Sequence, residues 1–209
     1  MKTCERSVCE LYLDDIEDVT RVHAAAFPRS ALTQLGNEAV GRYYRSLLLG
    51  PHRIDAFGAR INGDLAGFCF GGIAPAAMPA FLRQNVGLLS RRLLLQPWLV
   101  ADPMFRDRIK RSFSAFRRGH APSYPDALPQ ADRRPYDILS IAVDPRWQRR
   151  GIGKVLMEHA RATASRNGYY AMTLMVNTDN EQATGFYESL GWKKHCKSGQ
   201  WRGNMELWF

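Results

Sequence analysis

The sequence predicts an α/β (α+β) fold in which helices lie against a central sheet, and three observations predict it. Residues 7–73 read as strand, helix, helix and β-hairpin. Residues 138–168 pass from a branched apolar stretch through a basic glycine turn into a long amphipathic segment. Residues 169–192 repeat the change from apolar strand to helix, and residues 203–209 alternate as a strand once more. At 209 residues, 45% of them apolar, the chain can bury one good core. The expected organisation is a single domain over 1–209, with 75–135 as a helical and loop insertion.

Residues 7–13 alternate enough for the first strand. Asp14 or Asp15 can cap the helix that follows. Its Ile16, Val19, Val22, His23 and Ala26 recur at helical spacing, and Pro28 ends it. Residues 37–49 read as a second helix, stopped by Gly50-Pro51. Asn62-Gly63 joins strands at 54–61 and 65–70, because Asn-Gly suits a two-residue turn with both φ positive. In the insertion, Met78, Phe81, Leu82, Val86, Leu89 and Leu93 fall at helical intervals over 78–95, with Arg83, Arg91 and Arg92 among them. Phe105, Ile109, Phe113 and Phe116 predict a further helix over 103–117, and the Pro-rich stretch 119–135 reads as loop. Ile138, Leu139, Ile141 and Val143 mark a strand ending at Asp144-Pro145. After it, no helix breaker occurs until Gly168. Residues 169–176 form another buried strand, followed by a short helix holding Phe186-Tyr187. Met205, Leu207 and Phe209 alternate at the end.

Bulk properties exclude several classes. The opening MKTCERSVCELYLDD has no apolar core of a signal peptide, so none is expected. No apolar run reaches the ~18 residues of a membrane span, and the longest candidate, 93–101, is interrupted by Gln96-Pro97. Cys4, Cys9, Cys69 and Cys196 form no CxxC and no metal-ligand spacing, which predicts reduced thiols in a cytoplasmic protein without a metal. The formal charge is +9, and residues 75–135 hold 11 Arg or Lys against 4 Asp. The basic excess therefore concentrates in the insertion.

The turn Gln148, Arg149, Arg150, Gly151, Ile152, Gly153, Lys154 joins a strand to a helix N-terminus. Free backbone N–H groups and the positive end of the helix dipole converge there, which makes a cradle for phosphate. A dinucleotide fingerprint would need glycine where Leu156 stands. A P-loop would need Ser or Thr at Val155 and an earlier glycine at Gln148. The spacing of Gln148, Gly151 and Gly153 instead resembles the pyrophosphate loop of the GCN5-related N-acetyltransferases (GNAT). Val176, Asn180, Ala183, Phe186, Tyr187, Leu190, Gly191 and Trp192 fall in place in that family's second string. The resemblance covers 137–209 closely and 7–73 by element order, and it leaves out the insertion.

The resemblance implies a GNAT fold: a mixed, mostly antiparallel central sheet with a V-shaped splay between two parallel strands, flanked by helices and carrying a helical insertion. It also implies acetyl-CoA as co-substrate and direct transfer of its acetyl group to a primary amine, with no covalent enzyme intermediate. Residues 148–154 would hold the diphosphate, with Arg149, Arg150 and Lys154 adding charge beside the amides of Gly151, Ile152 and Gly153. Ile141, Ala142 and Val143 would lie on the splayed strand, facing the pantetheine arm and the acetyl carbonyl. Asn180 would bond the cofactor arm, or be a plain helix N-cap. Tyr187 would be the acid that protonates the leaving thiolate. A phenol of pKa ~10 suits a thiol of pKa ~8.5, and the alternative for Tyr187 is a core aromatic.

The base stays open. Relatives that act on ribosomal proteins or N-termini often carry Glu where this chain has Met175. Asp137, Asp179, Glu181, His23 and His120 remain, and His23, on an apolar stripe, is expected to be packed. The string from Phe27-Pro28 to Leu32-Thr33-Gln34-Leu35-Gly36, with the long insertion, looks like GNAT enzymes of bacterial polysaccharide gene clusters. That likeness suggests a small-molecule acceptor such as an amino sugar. Alternatives are a peptide or protein N-acetyltransferase, an acyl-CoA-binding module without catalysis, or a module whose basic insertion rests on a membrane surface. No nucleic-acid partner is expected, since aromatic residues do not interleave with the arginines.

Overall fold

The computed structural model describes residues 6–74, 77–97, 134–197 and 199–209. The helix expected over 103–117, most of the loop at 119–135, Cys4 and His120 lie outside them. The chain order is β1 (Arg6–Glu10), a 3-10 turn (Leu13–Asp15), α1 (Ile16–Ala26), α2 (Ala31–Gln34), α3 (Asn37–Leu49), β2 (Arg53–Ile61) and β3 (Asp64–Ile73). Next come α4 (Ala77–Gln84), α5 (Val86–Leu95), β4 (Tyr136–Val143) and a 3-10 turn (Pro145–Trp147). The last elements are α6 (Ile152–Arg166), β5 (Ala171–Met175), α7 (Glu181–Ser189), β6 (Lys193–Lys197) and β7 (Gln200–Trp208). Among the described residues the strands form one sheet in the order β1-β2-β3-β4-β5-β7-β6. Among these strands β4 and β5 alone run parallel.

Local chemistry accounts for most of these elements. Asn62 (φ 53°) and Gly63 (φ 89°) make the expected hairpin turn with both φ positive. α3 stops at Gly50, as its sequence predicts. Asp15 does precede α1, but its side chain makes no cap bond. It accepts instead from Tyr12 N at 2.8 Å and pairs with Arg60. The helix expected over 78–95 is two helices, α4 and α5. Asn85 breaks it, with its Nδ2 donating to Phe81 O at 2.8 Å and its Oδ1 accepting from Arg42 at 3.1 Å. Val86, placed on the apolar stripe by its spacing, is therefore exposed. β6 was not foreseen, because KKHCK has no apolar alternation to reveal a strand.

Each face of the sheet carries its own core. Strand residues alternate between faces, so Phe68 and Phe70 of β3 meet α1, α3 and α4 through Val19, Val22, Tyr44, Leu47 and Phe81. Cys69 of β3, Ile138 of β4, Met172 and Leu174 of β5 and Met205 of β7 meet α6 through Leu156, Met157 and Ala160. Ala183, Tyr187 and Leu190 of α7 pack against that second core.

The splay is present. β4 and β5 pair only at Tyr136 with Met172, Asp137 with Thr173 and Ile138 with Leu174. Beyond that, β4 stays with β3 as far as Val143 opposite Gly67, and Asp144 N donates to Ala66 O. β5 stays with β7, and Val176 N donates to Gly203 O. The strands part at a bulge. Ser140 faces Phe70 and Ile138 faces Gly71, so Leu139 is the extra residue that bends β4. No helix among the described residues is long and apolar enough to cross a membrane. Leu156 is fully buried in the second core, so Leu156→Ala is expected to lower the unfolding free energy by about 3 kcal/mol in urea denaturation.

Candidate active site

The parting of β4 from β5 leaves main-chain groups without a strand partner. Asp144 N points to β3, so by the two-residue alternation of an antiparallel ladder the amides of Val143 and Ile141 point into the gap, and that of Ala142 does not. Gln148 Nε2 donates to the Val143 carbonyl at 3.2 Å, so this side chain closes the end of the gap.

The turn below the gap has the geometry of an anion seat. Arg149 is left-handed at φ 59° and Gly151 at φ 80°, and a Cβ at Gly151 would meet nothing within 4 Å. The first bond of α6 in this turn runs from Val155 N to Gly151 O. The amides of Ile152, Gly153 and Lys154 therefore precede any intrahelical acceptor. Arg149, Arg150 and Lys154 are all exposed around them, and the Arg150 guanidinium lies 4.8 Å from the Trp147 ring centre. Gly153 has a different task from Gly151. A Cβ there would sit 3.3 Å from the Phe186 ring of α7, so its smallness lets the two helices meet.

Asp144 anchors this turn, and the sequence reading passed over it. It is buried and caps the 3-10 turn by accepting from Arg146 N at 3.0 Å. Arg146 Nη2 at 2.8 Å and Arg21 Nη1 at 2.9 Å flank the carboxylate. Arg21 also reaches Leu65 O and Asp18, tying α1 to the turn. The Arg146 side chain, then its backbone and charge and that of Arg21, hold the Asp144 carboxyl below its ordinary value. An Asp-Pro pair after a strand was the available signal.

Tyr187, on α7, is partly exposed and packed between Phe186 and Trp192 at ring-centre distances of 5.3 and 6.0 Å. Burial, with the Cys69 thiol nearby, pushes the phenol up, so it keeps its proton throughout the neutral range. Cys69 faces Ile141 across β3 and β4, which places Tyr187 beside the gap. Asn180 caps α7, its Oδ1 accepting from Ala183 N at 3.0 Å. The cap uses the oxygen and leaves the Nδ2 amide outside it.

Of the five candidate bases, one stands where the strands part. Asp137 lies on the last rungs of the β4–β5 pairing and accepts from Thr173 Oγ1 at 3.1 Å. Part of the residue reaches solvent, yet the carboxyl is ringed by protein, and burial pushes it up to about 6. Its neighbours Tyr136 and Ile138 face the second core, so Asp137 projects on the opposite face. Asp179 and Glu181 are exposed near the start of α7. His23 is buried, bonded to Tyr44 and Ser30, and lowered to about 4 by burial, which is the packed role its spacing predicts. Met175 ends β5, exposed. Among the described residues no three His, Cys, Asp or Glu gather to hold a metal ion.

The sequence matches the acetyltransferase (GNAT) family over residues 16–192. The chain belongs to that family. Over 57 residues it is 40% identical to the ribosomal protein bS18-alanine N-acetyltransferase of Salmonella typhimurium, a stretch equal to 27% of this chain and 38% of that protein. Over 54 residues it is 41% identical to the peptidyl-lysine N-acetyltransferase YjaB of Escherichia coli, which is 26% of this chain and 33% of that one. The matches thus span well under half the length of these curated relatives. Among solved structures, the PaiA N-acetyltransferase of Thermoplasma acidophilum in complex with coenzyme A superposes with a TM-score of 0.58 at 14% identity. That superposition covers 98% of this chain and 99% of the other. At such identity the likeness concerns the GNAT fold alone.

Asp144→Ala removes both the cap and the shared ion partner, and is expected to cost about 2 kcal/mol at pH 7 in thermal or urea unfolding. The folded carboxyl titrates below its ordinary value. The difference from wild type is therefore full above that ordinary value, and it shrinks as acid carries the pH down through the depressed one.

Proposed function

We propose that this chain is an acetyl-CoA-dependent N-acetyltransferase that moves an acetyl group onto a primary amine by direct attack on the thioester. The observation that carries the reading is the opening of β4 from β5 directly above a basic helix start with unpaired amides. The residues present fit coenzyme A. Open space at Gly151 and the amides of Ile152, Gly153 and Lys154 suit a diphosphate, and Arg149, Arg150 and Lys154 offset its charge. Acetyl-CoA supplies the activated thioester. The Ile141 amide donates toward its carbonyl oxygen, where negative charge grows as the amine attacks. Val143 and the Asn180 amide line the pantetheine arm. Tyr187, held protonated by burial, gives its proton to the departing thiolate. Asp137, ionised above about pH 6, takes the proton from the acceptor's ammonium.

The acceptor is read as a small-molecule amine, an amino sugar among the choices. A peptide acceptor is the second reading, favoured by the names of the relatives that act on a ribosomal protein alanine or a peptidyl-lysine. Against it stands Met175, a thioether where acetyltransferases of ribosomal proteins or N-termini often place Glu. Product mass spectrometry across amines and peptides separates the two.

Titration calorimetry is expected to register coenzyme A binding to the pure protein, and no uptake removes the reading. With a competent amine, Tyr187→Phe is expected to slow thiol release about a hundredfold, and a wild-type rate takes the phenol out of the mechanism. The wild-type rate is expected to rise with pH through about 6 as Asp137 loses its proton. Asp137→Asn is expected to flatten that limb.

A further inference from the structure

A buried string of polar groups leads to the splayed strand from the side away from Tyr187. Tyr44 of α3 is fully buried, in ring contact with Phe68, Phe70, His23 and Tyr43. Its hydroxyl lies 2.8 Å from Ser140 Oγ on β4 and 2.8 Å from His23 Nδ1 on α1. His23 Nε2 lies 3.3 Å from Ser30 Oγ. That oxygen caps α2 by accepting from Thr33 N and bonds Thr33 Oγ1 at 2.8 Å. Four elements are thus linked by hydrogen bonds through a core otherwise made of aliphatic and aromatic side chains.

Packing does not require this string. Phenylalanine at 44 would fill nearly the same space without a buried hydroxyl that must be bonded. What the hydroxyl adds is direction, because a fully bonded buried network admits few geometries. It is applied where the backbone is held least. Beyond Ile138 the strand has lost β5, and at Leu139 the bulge interrupts its pairing with β3 as well. Ser140 is the next residue, and the amide that follows it is that of Ile141.

We propose that Tyr44 is a positioning residue which, through Ser140, holds the bulged segment of β4 so that the Ile141 amide meets the thioester carbonyl. The inference rests on the acyl-transfer reading above. An amide donor acts on a growing oxyanion only within a narrow range of distance, and the Ser140 side chain is one residue from that donor. His23 completes the hold. Neutral because burial lowers it to about 4, it has one ring nitrogen that donates and one that accepts, and so bonds Tyr44 and Ser30 at once.

Tyr44→Phe removes the hydroxyl alone, and Ser140→Ala removes its partner on β4. In each variant kcat is expected to fall about tenfold or more, while KM for acetyl-CoA stays at the wild-type value. The double variant is expected to be no worse than the lower single one. The separating readout is the isotope-edited infrared band of 13C-carbonyl acetyl-CoA bound to the protein. Wild type is expected to shift that band to lower frequency than in free acetyl-CoA, and both variants are expected to lose most of the shift. A merely structural tyrosine would lower the melting temperature and leave the band in place. A band at the wild-type position in either variant that binds acetyl-CoA overturns the proposal, with the acetyltransferase reading intact. Failure of wild type to bind acetyl-CoA removes that reading and the proposal with it. If Tyr44→Phe does not fold, Ser140→Ala decides alone, since Ser140 is only partly buried.

Discussion

A strand in the middle of a sheet has to pair its backbone on both sides, and β4 does so for only part of its length. Past Ile138 the amides and carbonyls on one edge face a gap, and unpaired backbone groups shut away from water are costly. The surrounding structure can be understood as management of that edge. Gln148 covers the last carbonyl, α6 and α7 roof one face, and Tyr44 grips the strand from the other. Donors held open in this way need no rearrangement to meet an acceptor that enters between the two strands.

Charge is arranged with similar economy. The helix start of α6 is positive by its dipole and by exposed basic side chains. Asp144 lies behind it, buried, with arginines from α1 and from the turn on either side. The carboxylate fixes the turn's shape from the protein side and leaves its outer side open. The face of the sheet bearing Asp137 has the opposite character, with a carboxylate whose proton is loosely set near neutrality.

Much of this was legible in the sequence, and what was legible was local. The hairpin at Asn62-Gly63 and the basic turn at 148–154 are dictated by residues a few positions apart, and the structure keeps them where spacing puts them. The splay was implied by family likeness alone. Its cause, the extra residue at Leu139, depends on register against β3 and leaves no mark in composition. β6 escaped because an edge strand of lysines and a histidine carries no apolar period. Asn85 splits a helix that hydrophobic spacing joins, since its side chain competes for backbone and arginine partners. The Tyr44–Ser140 bond joins residues 96 apart, and no periodicity reports such a contact. Asp137 could be named among the candidate bases but not singled out, because its altered acidity comes from enclosure and not from neighbours in the chain.

Gly153 and Phe186 touch across the junction of α6 and α7. One belongs to the glycine turn and the other to the Phe-Tyr string, so the two signatures meet at a single van der Waals surface. A Cβ at 153 would press on the ring next to Tyr187, which would have to yield by a few tenths of an ångström. The spacing between the start of α6 and the Phe186–Tyr187 pair is thus tuned at one position that carries no methyl group.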